Sequence, residues 1–297
     1  MKTARILIKR NVKLFFKDKG MFFTALITPA ILLVLYATFL AKVYRDSFLL
    51  GLSTDIVLPA KLLDGVVGGQ LASSLLAVSC VTVSFCSNFL MVQDKANGTY
   101  RDLAISPARS SVLSLCYYVA TLISSLIVCL VALALSLGYI ALVGWYLSVA
   151  DVLLLVVDVV LLVLFGTALS SLINHFLSTQ GQISAVGTIV SSGYGFISGA
   201  YMPIASFGTG LQHVIACLPG TYGTVLLRNH AMRGALTEME RIGVPADAIA
   251  GLRDAVDCNL YFFDTPVTIP AMYAVLVGSI LLLIGAYVLL SMRRKKQ

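Results

Sequence analysis

Charge in this chain is confined to short segments, and between them run long stretches with little or none, at 20–41, 65–93, 110–150, 152–174, 176–227 and 265–292. A helix needs roughly 20 apolar residues to cross about 30 Å of hydrocarbon. The runs therefore predict spans near 21–41, 66–91, 111–138, 152–173, 182–202 and 268–290, and an even number of spans returns both termini to one side. Of the 297 residues, 59% are hydrophobic and 12% charged, where an ordinary soluble domain carries about 25% charged residues. So much apolar surface cannot be hidden in one soluble core. The expected fold is an all-α membrane protein, and disorder, a coiled coil and a soluble enzyme are excluded.

The net charge of +7 suits nucleic acid only if the basic residues share one accessible face. They do not. Seven precede Gly20, three lie in the loop 94–109 and four in the tail 293–296, against seven in the remaining hydrophilic segments. By the positive-inside rule this excess places both termini in the cytoplasm. The basicity is thus mostly topology, and no nucleic-acid partner is expected.

Residues 1–20 read as an amphipathic interfacial helix. Ala4, Leu7, Ile8, Val12, Leu14 and Phe15 fall on one face and Lys2, Arg5, Lys9, Arg10, Lys13 and Lys17 on the other, a pattern that suits the boundary between acyl chains and anionic head groups. The apolar run that follows is too long for a cleaved signal peptide. The remainder, 21–297, reads as a single transmembrane domain.

Several chemistries are missing. No Gly-Lys dipeptide occurs, which excludes a GxxxxGK[ST] phosphate loop, and there is no HExxH, CxxC or GxSxG. No catalytic residue, metal site or cofactor of this chain's own is expected. Cys80, Cys86, Cys116 and Cys129 lie in spans, whereas Cys217 and Cys258 share a predicted outer segment and are candidates for a disulfide. Asp158 is the one acid well inside a span, and Asp151 precedes it by seven residues on the same face. It reads either as a cation-attracting or proton-linked site, or as an acid that reaches the surface or pairs with backbone.

Two segments carry more specific information. The inner loop 94–109 has turn chemistry at Asn97-Gly98 and a helix stop at Ser106-Pro107, with charges between, and predicts a short cytoplasmic helix that a partner could grip. After the fifth span come Gly199, Pro203, Leu218, Pro219, Tyr222 and Arg228 in that order. On these two patterns the sequence resembles the membrane subunits of type-2 ATP-binding-cassette exporters, among them multidrug-export permeases. That family carries an acidic residue, Gly-Thr, a charged helical turn, a Leu and Ser/Thr-Pro at the inner loop, matched here by Asp94, Gly98, Thr99, Arg101, Asp102, Leu103, Ser106 and Pro107.

The resemblance implies a permease that works as a dimer, homomeric or heteromeric, with two copies of a separate ATPase subunit that binds ATP and Mg. The inner loop would receive the ATPase stroke, with a second contact at the turn 175–181. Gly199, Pro203, Pro219, Tyr222 and Arg228 would form a structural outer motif, with a re-entrant hairpin and a cap over 203–266. Phe85, Asn88, Phe89, Ser191, Tyr194 and Phe196 would line a central pathway for an amphipathic or hydrophobic cargo such as a drug, lipid, peptide or polyketide. Gly65/Gly69 and Gly195/Gly199 offer GxxxG motifs for helix contacts, at the dimer seam or within one subunit. An ATP-independent secondary transporter and a non-transporting scaffold stay open as alternatives; the first would want paired intramembrane ionisable residues, and only Asp158 stands out.

Overall fold

The computed structural model describes residues 2–42, 44, 45, 48, 59–105, 110–263 and 265–293. Ser106, Pro107 and most of the basic tail lie outside the described residues. The helices are α1 (Lys2–Lys17), α2 (Lys19–Leu35), α3 (Ala60–Ala96), α4 (Thr99–Ile105), α5 (Ser110–Val143), α6 (Val149–Phe176), α7 (Gln180–Ile197), α8 (Thr209–Ala216), α9 (Pro219–Arg241), α10 (Ala246–Ala255) and α11 (Ile269–Arg293). A two-residue hairpin, β1 (Tyr261–Phe262) against β2 (Thr265–Pro266), is antiparallel and precedes α11.

The α3 helix is the axis of the bundle. At 37 residues it is about 55 Å long, and it packs against α2, α5, α6, α7 and α9. Because it is buried on every side, its hydroxyls cannot turn to water. Ser79, Thr82 and Ser84 instead donate to the carbonyls of Leu75, Val78 and Cys80, one turn back. Small residues set its distance from its neighbours. A Cβ at Gly65 would strike the Gly144 carbonyl and the Tyr146 ring, and one at Gly69 would strike Ala231 and Met232 of α9. Both glycines of this GxxxG motif are therefore used within the subunit.

Helix α1 turns its Leu7, Asn11, Phe15 stripe onto α5 and keeps Arg5, Lys9, Lys13 and Lys17 exposed. Its apolar face therefore packs substantially on protein. Asp18 separates it from α2, accepting a bond from the Met21 N–H at 3.1 Å, and the two helices meet at 71°. Helix α2 continues through a π-helical turn, Tyr36–Leu40. At the start of α6, Ser148 and Asp151 form a capping box.

Among the described residues four helices, α3, α5, α6 and α11, are long and apolar enough to cross a membrane, and five crossings result if the bent α1–α2 pair counts as one. The expected fifth span, 182–202, corresponds to α7, which has 18 residues, about 27 Å. It carries exposed Gln182, Ser184, Thr188 and Ser192 and is not among the helices apolar enough to cross. The turn after it begins at Ser198, with Gly199 at φ +68.

Within the expected outer segment, residues 228–241 belong to α9, which packs along α3, α6 and α11, and among the described residues α10 and the hairpin follow it. Gly220, at one end of α9, meets Phe165 and Tyr194; Gly234 meets the Tyr146 carbonyl near the turn before α6. That turn and α10 mark the cap end of the bundle, and α4 marks the other.

Candidate functional site

At the α4 end, the chain leaves α3 through Asn97 and Gly98, whose φ of +82 belongs to the left-handed region that glycine enters freely. Helix α4 follows at once, with the Arg101 and Asp102 N–H groups bonded to the Gly98 carbonyl at 2.8 and 3.3 Å. Tyr100 and Leu103 pack against the core, Tyr100 stacked on Tyr117 at 6.2 Å between ring centres. Arg101, Asp102 and Ile105 face outward, Ile105 with 84% of its surface exposed. The predicted short charged helix is therefore present as a protruding element with a fixed inner side.

Asp94 differs from expectation. It is buried in the last turn of α3, where Arg10 Nη1 donates to it at 2.9 Å and the Tyr117 hydroxyl at 2.5 Å. It therefore faces inward and joins α1, α3 and α5 at one point, so it positions α4 without presenting itself to a partner. Its neighbour Lys95 donates from Nζ to the carbonyls of Asn174, His175 and Leu177 at 2.9, 2.8 and 3.0 Å. This cation caps the C-terminal end of α6, where free carbonyls and the helix dipole favour positive charge. The turn 175–181 thus rests on the same segment that carries α4, and Thr179 with Gln182 forms the capping box that opens α7.

The expected pathway residues separate into groups. Phe85 and Asn88 are buried inside the subunit, Asn88 Nδ2 donating to Ser170 and Ser171 hydroxyls of α6 at 3.1 and 2.9 Å, so neither faces a path between two copies. Phe89 and Ser191 line a groove of about 650 Å³ between α2, α3 and α7, with Asp18, Gln93, Ser184 and Thr188. Tyr194 points the other way, against Gly220, and Phe196 is exposed.

At the cap end, the outer motif folds into one clasp. Arg228, with no exposed surface, donates from Nη1 to Asp257 at 2.9 Å and from Nη2 to the Gly199 carbonyl. Asp257 accepts in turn from the Ile204 N–H at 2.9 Å. Pro203 precedes the short 3-10 turn Ile204–Ser206, Pro219 takes the first position of α9, and the Tyr222 hydroxyl donates to the Ala216 carbonyl at 2.8 Å. Gly195 and Gly199 serve this turn, against the Tyr201 ring and Ile204 respectively, so the second GxxxG motif is also spent within the subunit. Cys217 and Cys258, the candidates for a disulfide, are not joined: both are free thiols, Cys217 exposed and Cys258 buried beneath the cap. Burial pushes the Cys258 thiol up to about 12.

Asp158 does not stand alone either. His230 Nδ1 lies 2.6 Å from one carboxylate oxygen and the Tyr273 hydroxyl 2.6 Å from the other, 72 and 115 residues away in sequence. Asp151 binds the Ser148 cap and meets Arg233 Nε at 2.5 Å. No periodicity or motif signals such distant partners. For Arg10 a local signal existed, since it adjoins the buried Asn11 at the edge of the stripe on α1.

A search of curated proteins finds no match to this sequence. A family model described as ABC-2 type transporter matches residues 3–231, from α1 through the middle of α9, and so takes in α4, the groove and most of the clasp. With more than half of its length matched, and with apolar helices suited to crossing a bilayer, this chain belongs to the ABC-2 type transporter family, as a membrane-spanning permease component.

Proposed function

We propose that the chain is the permease subunit of an ATP-driven exporter, coupled through α4 to a separate ATPase subunit that binds ATP and Mg. The observation that carries this reading is the build of α4. Its exposed side offers Arg101, Asp102 and Ile105 to a partner, while its inner side is tied through Asp94 and Lys95 to α1, α5 and α6. A push on α4 would therefore reach four helices at once. Gly98, Thr99, Leu103, Ser106 and Pro107 complete the segment, and the turn 175–181 offers a second contact beside it.

Six crossings, with α2 and α7 as the shorter ones and α8–α9 as a re-entrant hairpin, accommodate the charge distribution with both termini on the cytoplasmic side of the cell membrane. An exposed row of hydroxyls and amides on α7 is poorly matched to lipid. This supports a dimer in which α7 and the adjoining groove face a second permease copy, with two ATPase copies below. Phe89, Ser191 and Phe196 then border an aromatic, weakly polar path suited to an amphipathic cargo. The sequence-level objection to a secondary transporter, that Asp158 has no ionisable partner, falls with the Asp158–His230 pair; the family match supports the ATP-driven reading over it.

Co-expression with an ATPase subunit tests the reading. The wild-type chain is expected to co-purify with the ATPase and raise its turnover, and Arg101→Glu with Ile105→Asp is expected to abolish both while leaving the permease folded. Retention of the ATPase by this variant, or absence of any ATPase from the wild-type complex, overturns it.

A further inference from the structure

Asp158 lies nine residues after Val149 in α6, about 14 Å from the helix start, and has no accessible surface. An ionised carboxylate can only accept hydrogen bonds, so both of its short contacts must come from donors. With Asp158 ionised, the donors of these two contacts are the His230 Nδ1–H and the Tyr273 hydroxyl. Nε2 is then the basic nitrogen of His230. The two rings lie nearly parallel, 24° apart at 6.4 Å between centres.

The surrounding charges are already committed. On α6, Asp151 is held by Ser148 and Arg233. On α9, Arg233 engages Asp151, and Arg228 engages Asp257. Helix α3 contributes Cys80, its sulfur 4.0 Å from the Val159 carbonyl, with Cys129 of α5 beside it. Tyr273 comes from α11, and Tyr194 of α7 sits further down, against Gly220. Among the described residues the neighbouring arginines, Arg228 and Arg233, are engaged elsewhere, so the Asp158–His230–Tyr273 cluster carries a net charge of −1 when the carboxylate is ionised and the imidazole neutral.

We propose that Asp158, His230 and Tyr273 form a proton-binding site inside the helix bundle, and that its single proton sets how tightly α6, α9 and α11 are joined. A hydronium ion gives its proton to His230 Nε2: its O–H bond breaks, the Nε2–H bond forms and a water molecule is left, the imidazolium keeps its Nδ1–H on the carboxylate, and the cluster passes from −1 to neutral as an ion pair. The nearby Asp151–Arg233 pair keeps its charge, so α9 has one permanent and one proton-dependent tie to α6. Gly234 lies against the Tyr146 carbonyl, so movement of α9 reaches the turn that holds Trp145, the one tryptophan of the chain. The proposal is independent of any ATPase partner.

The full-length chain in lipid nanodiscs, labelled with 15N-histidine, provides the test. It has three histidines, and the His230 signal is identified by its loss in His230→Gln. That signal is expected to pass from neutral to cationic between about pH 8 and pH 5, the range in which histidine changes charge. In Asp158→Asn the transition should require about tenfold more protons or more, one pH unit being a factor of ten. In Tyr273→Phe, which removes only a hydroxyl and stands in if Asp158→Asn does not fold, the midpoint should also move. Trp145 fluorescence should follow the wild-type midpoint. A His230 signal of constant charge over this range, or a midpoint unmoved in the variants, overturns the site; Trp145 emission indifferent to the titration overturns its mechanical role.

Discussion

The clasp around Arg228 shows how a single side chain can hold a motif together. Arg228 is wholly buried, and its guanidinium answers a carboxylate and a backbone carbonyl contributed by segments on either side of it in sequence. Removing one member of a buried ion pair leaves the other charge unpaired, at a cost of about 3–5 kcal/mol. Arg228→Met is therefore expected to lower the thermal unfolding temperature of the purified permease sharply, and pairing it with Asp257→Asn to recover part of the loss. The cysteines give a second residue-scale prediction. The thiolate is the reactive form, and burial pushes the Cys258 thiol up to about 12, so Cys258 stays protonated and unreactive across neutral pH. Exposed Cys217 should be alkylated in the detergent-solubilised, folded protein without reductant, with Cys258 following only on unfolding, as mass spectrometry of labelled peptides would report.

At the level of elements, the α4 end depends on two joints. One is the meeting of Arg10, Asp94 and Tyr117, which ties α1 to α3 and α5. The other is the Lys95 cap on α6. A double-mutant cycle on Arg10→Ala and Asp94→Asn should return a coupling of about 0.5–3 kcal/mol, the range for residues in one hydrogen-bond network. Each single variant should weaken ATPase stimulation while the ATPase still binds, since neither residue is on the outward side of α4. Gly98→Ala isolates the turn between the joints. Nothing lies within 4 Å of the position a Cβ would take, so the cost is backbone strain alone, about 1–2 kcal/mol, read as a small drop in unfolding temperature.

For the molecule as a whole, the unequal lining of its helices decides how it sits with partners. Among the described residues, α3 is covered on all sides, while α7 leaves Ser184, Thr188 and Ser192 uncovered. If α7 meets a second copy, Thr188→Cys should form an intermolecular disulfide under mild oxidation in membranes, whereas a cysteine at exposed Leu142 should not; equal cross-linking at both sites would exclude a specific seam at α7.

Much of this architecture is legible in the sequence because lipid imposes a one-dimensional rule. An apolar run of sufficient length must become a helix that satisfies its own backbone, so α3, α5, α6 and α11 follow from composition along the chain. The Asn97-Gly98 turn and α4 follow from local chemistry in the same way, as does the broken backbone around Gly199 and Pro219. What composition could not reveal is which side of each helix meets which neighbour. Asp94 reads as a surface contact until α1 and α5 are seen to enclose it, and Asn88 as a pathway residue until α6 supplies its hydroxyl partners. Asp158 reads as isolated because its partners come from α9 and α11, far along the chain. Hydropathy determined that the chain is a bundle of membrane helices with a protruding charged turn; only the tertiary packing decided which polar groups are spent inside the bundle and which remain for a partner, because burial of a polar side chain depends on donors and acceptors that the sequence brings together only by folding.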